Sequence, residues 1–166
     1  FMGQGLLVSI FILCFMIYLE LFRKEYYNRK RSVLLLFALI VFFPVVLSLM
    51  IEQNLSNVYV IPLAMIPIII GIFLDSRTAF MAHITIILLC SIFLRYPHEF
   101  ILLQLAAGMT AIYSLRELSQ RSQLLRTACI VVICYALLYL AFELIHEDDL
   151  TKLNTRMYIY FIINGI

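Results

Sequence analysis

The sequence predicts an all-α protein: a polytopic membrane bundle of seven transmembrane helices, N-terminus outside and C-terminus cytoplasmic. Three observations predict it. First, 64% of the 166 residues are hydrophobic and only 13% are charged, against roughly 25% charged in a soluble domain. A soluble fold of this size has too little interior to hide that much apolar surface. Second, the apolar residues fall in seven continuous runs, most of them near the ~20 residues that cross a bilayer. A membrane β-barrel would instead show segments of ~10 residues with alternating polarity. Third, basic residues gather in alternate loops, as positive-inside sorting requires.

The first run, 5–22, has neither the basic start nor the small-residue cleavage site of a signal peptide. The second, 32–51, contains Pro44, and the third, 58–74, contains Pro62, Pro67 and Gly71. Proline withholds a backbone donor and kinks a helix, so Pro62, Pro67 and Gly71 mark a candidate hinge or a broken helix lining a cavity. The alternative is an ordinary proline-tolerant membrane helix. The fourth run, 78–95, would extend ~27 Å as a helix, close to the hydrocarbon thickness. The fifth, 100–115, is slightly short, which tilt or local thinning accommodates. Within it Ala106, Ala107 and Gly108 form a small face against which a neighbour can pack closely. The sixth covers 127–145, and the seventh begins near Met157 and is cut short at Ile166. With Phe1 in place of an initiator methionine, the expectation is a segment of a longer protein.

Runs three and four are together too long for one crossing, so the polar island Asp75–Ser76–Arg77 is expected to be the turn between two antiparallel helices. Asp75 or Ser76 can cap the following helix, and Arg77 can snorkel to lipid phosphate or a nearby carbonyl. One face of the bundle then holds Arg23, Lys24, Arg29, Lys30, Arg31, Arg77, Arg116, Arg121 and Arg126. Only Arg95, Lys152 and Arg156 remain for the other. The richer face is assigned to the cytoplasm.

Few polar groups enter the runs. His83 and Gln104 are a candidate intramembrane polar site, because an ionisable residue in a span is a functional candidate. The commoner alternative is an interhelical hydrogen bond. Arg116, Arg121 and Arg126 suit either retention against anionic lipid or docking of a cytoplasmic domain. Glu143 is a weaker candidate for ligand or proton contact. The stretch His146–Asp149 pairs histidine with carboxylates, but no second cluster completes a metal site, and a solvated acidic loop is the simpler reading. Cys14, Cys90, Cys129 and Cys134 all fall in apolar runs without a CxxC spacing, and are read as small buried hydrophobes. No catalytic residue, nucleotide loop, cofactor site or nucleic-acid signature is visible in the sequence.

Two stretches, "YVIPLAMIPIIIGIFLDSRTAFMAHI" (59–84) and "SLRELSQRSQLLRTACIV" (114–131), resemble the membrane region of the bacterial seven-transmembrane HD phosphohydrolases, of the cyclic-di-AMP phosphodiesterase type. The order and orientation of the spans agree with that family. The resemblance implies an extracytoplasmic domain ahead of this region and a cytoplasmic HD domain after it. That domain would hold two divalent metal ions, manganese or iron, which activate water to hydrolyse cyclic di-AMP. None of its ligands is carried by this chain.

The expected function is a transmembrane sensor and transducer for that hydrolase, in the inner membrane of a bacterium. Its partners would be the lipid bilayer, its own outer and HD domains, cyclic di-AMP through the HD domain, and, as an open alternative, a second copy in a homodimer. In this reading Asp75, Ser76 and Arg77 pack beside the 116–126 loop and couple to the hydrolase, with Asp75 pairing Arg116, Arg121 or Arg126. A small-molecule transporter or channel, or an inert anchor, are the competing functions.

Overall fold

In hydrocarbon a lone segment satisfies its backbone N–H and C=O groups only by coiling into a helix, and the apolar runs do so. The computed structural model describes residues 2–53, 58–115, 122–146, 159, 160 and 162, and its regular structure is helical throughout. α1 (Met2–Phe22) leads through the one-turn α2 (Lys24–Tyr27) into α3 (Lys30–Glu52). A 3-10 turn at Val58–Val60 precedes α4 (Met65–Phe73), followed by α5 (Ser76–Ser91), α6 (Pro97–Leu115) and α7 (Ser122–His146). Residues 159, 160 and 162 of the seventh run have helical backbone.

The third run is interrupted rather than bent. Pro62 has no N–H to give, and it disfavours helical geometry at Ile61. Residues 61–64 therefore leave the helix between the 3-10 turn and α4. Pro67 sits in the first turn of α4, where a missing N–H costs little, and Gly71 lies further along the same helix. Pro44 is accommodated inside a continuous α3. Pro97 opens α6 at its first position.

Three of these helices are long and apolar enough to cross a membrane: Met2–Phe22, Lys30–Glu52 and Arg126–Ile145. α4 has 9 residues, a rise of only ~13.5 Å, and α5 has 16, ~24 Å, against a hydrocarbon core of ~30 Å. Among the described residues three of the expected spans are thus both long and apolar enough to cross, α6 with 19 residues has the length alone, and α4 and α5 fall short. The shortfall has local causes: Pro62 divides run three, and the turn at 92–96 ends α5 before run four is finished.

α5 is the axis of the bundle. It packs on α1, α3, α4 and α6, and Ala79, Ala82, Ile86, Ile87 and Cys90 on it are fully buried. Ala79 and Ala82 let neighbours approach closely, which matters where packing rather than water expulsion drives association. On the far side α6 meets α7. Ser114 bonds Thr127 at 2.7 Å while Gln104 bonds Tyr135, so α6 and α7 run antiparallel. The ring of Tyr59 lies 6.2 Å from that of Phe100 and joins the 3-10 turn to α6. The cysteines divide by position: Cys90 is buried and Cys134 half-buried, but Cys14 and Cys129 are exposed. In an inside-out solvent an apolar residue belongs outside as readily as inside, so the expectation of four buried thiols fails for those two.

Candidate functional site

Two polar constellations interrupt this apolar bundle. The first lies at the end of the molecule where α1 finishes and α5 begins. Asp75 is the N-cap of α5, with extended backbone at φ −155° and ψ 162°. Its Oδ2 accepts the Arg77 N–H at 3.2 Å, which satisfies one of the free donors of the first turn. The same oxygen accepts from Arg23 Nη2 at 2.7 Å, and the two side chains are 27% and 25% exposed. Arg23 is the residue between α1 and α2. One carboxylate thus caps the central helix and fastens the end of α1 to it. A hydrogen bond with Tyr18 and then the Asp75 charge hold the Arg23 guanidinium above its ordinary pKa, against the opposing effect of burial. Burial first, and Asp75 second, raise the neighbouring Tyr26.

The sequence pointed to Asp75 for the cap, but it gave no signal for Arg23 as a partner of the carboxylate. Arg23 holds the carboxylate, because α1 packs directly on α5. Arg126 is exposed and lies within α7 rather than in a loop. Arg116 and Arg121 lie outside the described residues, as do Glu147, Asp148 and Asp149. Ser76 and Arg77 are exposed on the first turn of α5.

The second constellation lies deeper. His83, eight residues along α5 from Asp75, is ~12 Å further into the bundle. Its Nε2 is 3.0 Å from the backbone oxygen of Gln104 on α6. A carbonyl can only accept, so Nε2 carries the proton and Nδ1 presents a bare lone pair. The Gln104 side chain turns to α7, where its Oε1 accepts from Tyr135 Oη at 2.5 Å. One residue of α6 therefore ties α5 to α7. His83, Gln104 and Tyr135 are all fully buried. The imidazole lies on Gly108, where a Cβ would collide with the ring. The small face expected at 106–108 is thus a seat for His83 itself. Among the described residues His83 Nδ1, Gln104 Nε2 and Thr78 Oγ1 are buried without a hydrogen-bond partner, which marks this region as polar beyond what packing needs.

The sequence identified His83 and Gln104 as polar residues inside apolar runs, and the fold brings them together. It gave no signal for Tyr135, an aromatic residue at a core position, or for Thr78. Glu143 accepts from Tyr139 Oη one turn away at 2.8 Å, on its own helix. Pro62, Pro67 and Gly71 surround the interruption before α4 and its far end rather than the hub. Among the described residues no group of three or more His, Cys, Asp or Glu is placed to hold a metal ion.

A family model described as "7TM receptor with intracellular HD hydrolase" matches residues 1–166. No curated protein and no solved structure matches the chain.

Proposed function

The chain belongs to the family of 7TM receptors with an intracellular HD hydrolase, and from that premise we propose that it is the transducing membrane module of a phosphodiesterase that hydrolyses cyclic di-AMP. The family itself describes a membrane receptor module linked to an intracellular HD hydrolase. The finer reading adds a direction. An outer domain acts on α1, and the bundle relays its state to a cytoplasmic HD domain in a bacterial inner membrane. The N-terminus is outside, the basic loops are cytoplasmic, and two manganese or iron ions in the HD domain activate the hydrolytic water. A homodimer is compatible with this arrangement.

The observation that carries the reading is the shared carboxylate of Asp75. Arg23 leaves α1 and binds the residue that starts α5, and α5 in turn holds α6 through His83. A displacement of α1 along or about its axis moves Arg23 first. The pair then either drags the head of α5 or breaks. A half-buried pair open to solvent on one side contributes about 1 kcal/mol, so its role is to set position rather than to hold the bundle together. That weakness suits a switch, because a coupling free energy of about 1 kcal/mol already changes an equilibrium roughly fivefold.

The test is hydrolysis of cyclic di-AMP by membrane vesicles containing the full-length receptor. Turnover that requires manganese or iron and disappears with a chelator supports the reading. Vesicles that leave cyclic di-AMP intact with either metal refute it. The interrupted helix at 61–64 favours a second reading, a transporter, because broken helices line substrate paths in that class. Uptake of a solute into proteoliposomes by the receptor, abolished by Pro62→Ala, would support it.

A further inference from the structure

The half of the bundle remote from the Asp75 turn contains a groove of about 270 Å³ between α1, α3 and α5. Val8 and Ile12 of α1 form one wall, Pro44 and Ser48 of α3 the other, and Leu89 and Phe93 the floor. The geometry points to this groove as a binding site for one acyl chain of a membrane phospholipid, held as a wedge between the first two long helices.

Four observations carry the inference. α1 and α3 each pack on α5, and residues of all three line the groove. Both are of membrane-spanning length and apolarity, so the medium that meets the groove is lipid hydrocarbon rather than water. The α3 rim is continuous with outward apolar surface, since Val41, Val45 and Leu49 line the groove and are exposed. Ser48 is the polar side chain in the lining, so nothing there would anchor a headgroup or a charged ligand. The volume exceeds the roughly 150 Å³ that accepts a benzene-sized apolar guest. Dispersion contacts with both walls supply the attraction, because lipid tails gain nothing from water exclusion inside a bilayer. The inference does not depend on the hydrolase reading.

This membrane region has no tryptophan, so one placed in it adds a signal from its own surroundings. The full-length receptor is purified in detergent as Phe93→Trp, with Leu102→Trp as the comparison and the unsubstituted receptor as the blank. Leu102 is 54% exposed on α6 and outside the groove. Each is titrated with a phosphatidylcholine brominated at mid-chain. Quenching at position 93 is expected to saturate near one lipid per chain, while quenching at 102 rises in proportion to lipid in the micelle. Adding Ser48→Leu, which fills the groove, is expected to abolish the saturable part. Native mass spectrometry of the unsubstituted receptor is expected to show one retained phospholipid, lost in Ser48→Leu. Identical, unsaturated quenching at both positions overturns the inference. So does an unsubstituted receptor that elutes as a dimer with no retained lipid, since a second copy would then be the occupant.

Discussion

Replacing Gly108 by alanine is expected to weaken the bundle, although alanine is the better helix former by about 1 kcal/mol. A Cβ at this position would overlap His83 Nε2 and Cδ2 and stand 3.1 Å from Cε1. His83 is fully buried, so the ring has no free space to turn into. Overpacking of this kind costs about 1–3 kcal/mol. Expelling the imidazole also breaks its 3.0 Å bond to the Gln104 carbonyl, worth about 0.6–1.7 kcal/mol inside a membrane. Set against the helix-propensity gain, the net loss is about 1–4 kcal/mol. The sign reverses once the ring is gone: in a His83→Ala background, Gly108→Ala should stabilise by up to about 1 kcal/mol. Unfolding of the four proteins of this cycle in mixed micelles, followed by circular dichroism, measures both numbers. Equal effects of Gly108→Ala in the two backgrounds would refute the contact, and a more stable Gly108→Ala single variant would refute the reasoning about its cost.

Tyr135→Phe keeps the ring but takes the donor from Gln104 Oε1. It should cost about 0.6–2 kcal/mol in the same assay. The two roles of Asp75 are separable. Asp75→Asn retains an oxygen for the Arg77 N–H and should lose only the pair, about 1 kcal/mol, whereas Asp75→Ala should lose a further ~1 kcal/mol with the cap. Thiol labelling in bilayers should follow exposure: a lipid-soluble maleimide is expected to reach Cys14 and Cys129 well before Cys90, as read by peptide mass mapping.

Features set by local chemistry were legible in the sequence. The first, second, fifth and sixth apolar runs became helices near their expected limits, since the hydrocarbon-compatible backbone depends on neighbours in the chain. Asp75 reads as a cap because its oxygen reaches a donor two residues on. His83 and Gln104 stood out as polar groups in apolar runs, and Gly108 as part of a small face. The partners were not legible, because they depend on which helices become neighbours. Arg23 and the arginines of 116–126 are equivalent as charges in the sequence, and it is the packing of α1 on α5 that brings Arg23 to the carboxylate. Tyr135 looks like any core aromatic until α7 lies against α6. The interruption at 61–64 was half legible: proline announced a disturbance, but whether a helix bends, as α3 could have at Pro44, or breaks, as at Pro62, is decided by the surrounding packing. Run length alone likewise does not reveal where a helix stops, as at 92–96 after α5.

The central claim is that the Arg23–Asp75 pair couples α1 to the rest of the receptor. It is tested most directly by turnover of cyclic di-AMP in proteoliposomes containing the full-length receptor as wild type, Arg23→Asp, Asp75→Arg and the double exchange. Equal amounts of folded protein are compared. The account predicts that each single reversal shifts turnover by about fivefold, the effect of ~1 kcal/mol of coupling, and that the double exchange returns it toward the wild-type rate. Four equal rates would contradict it.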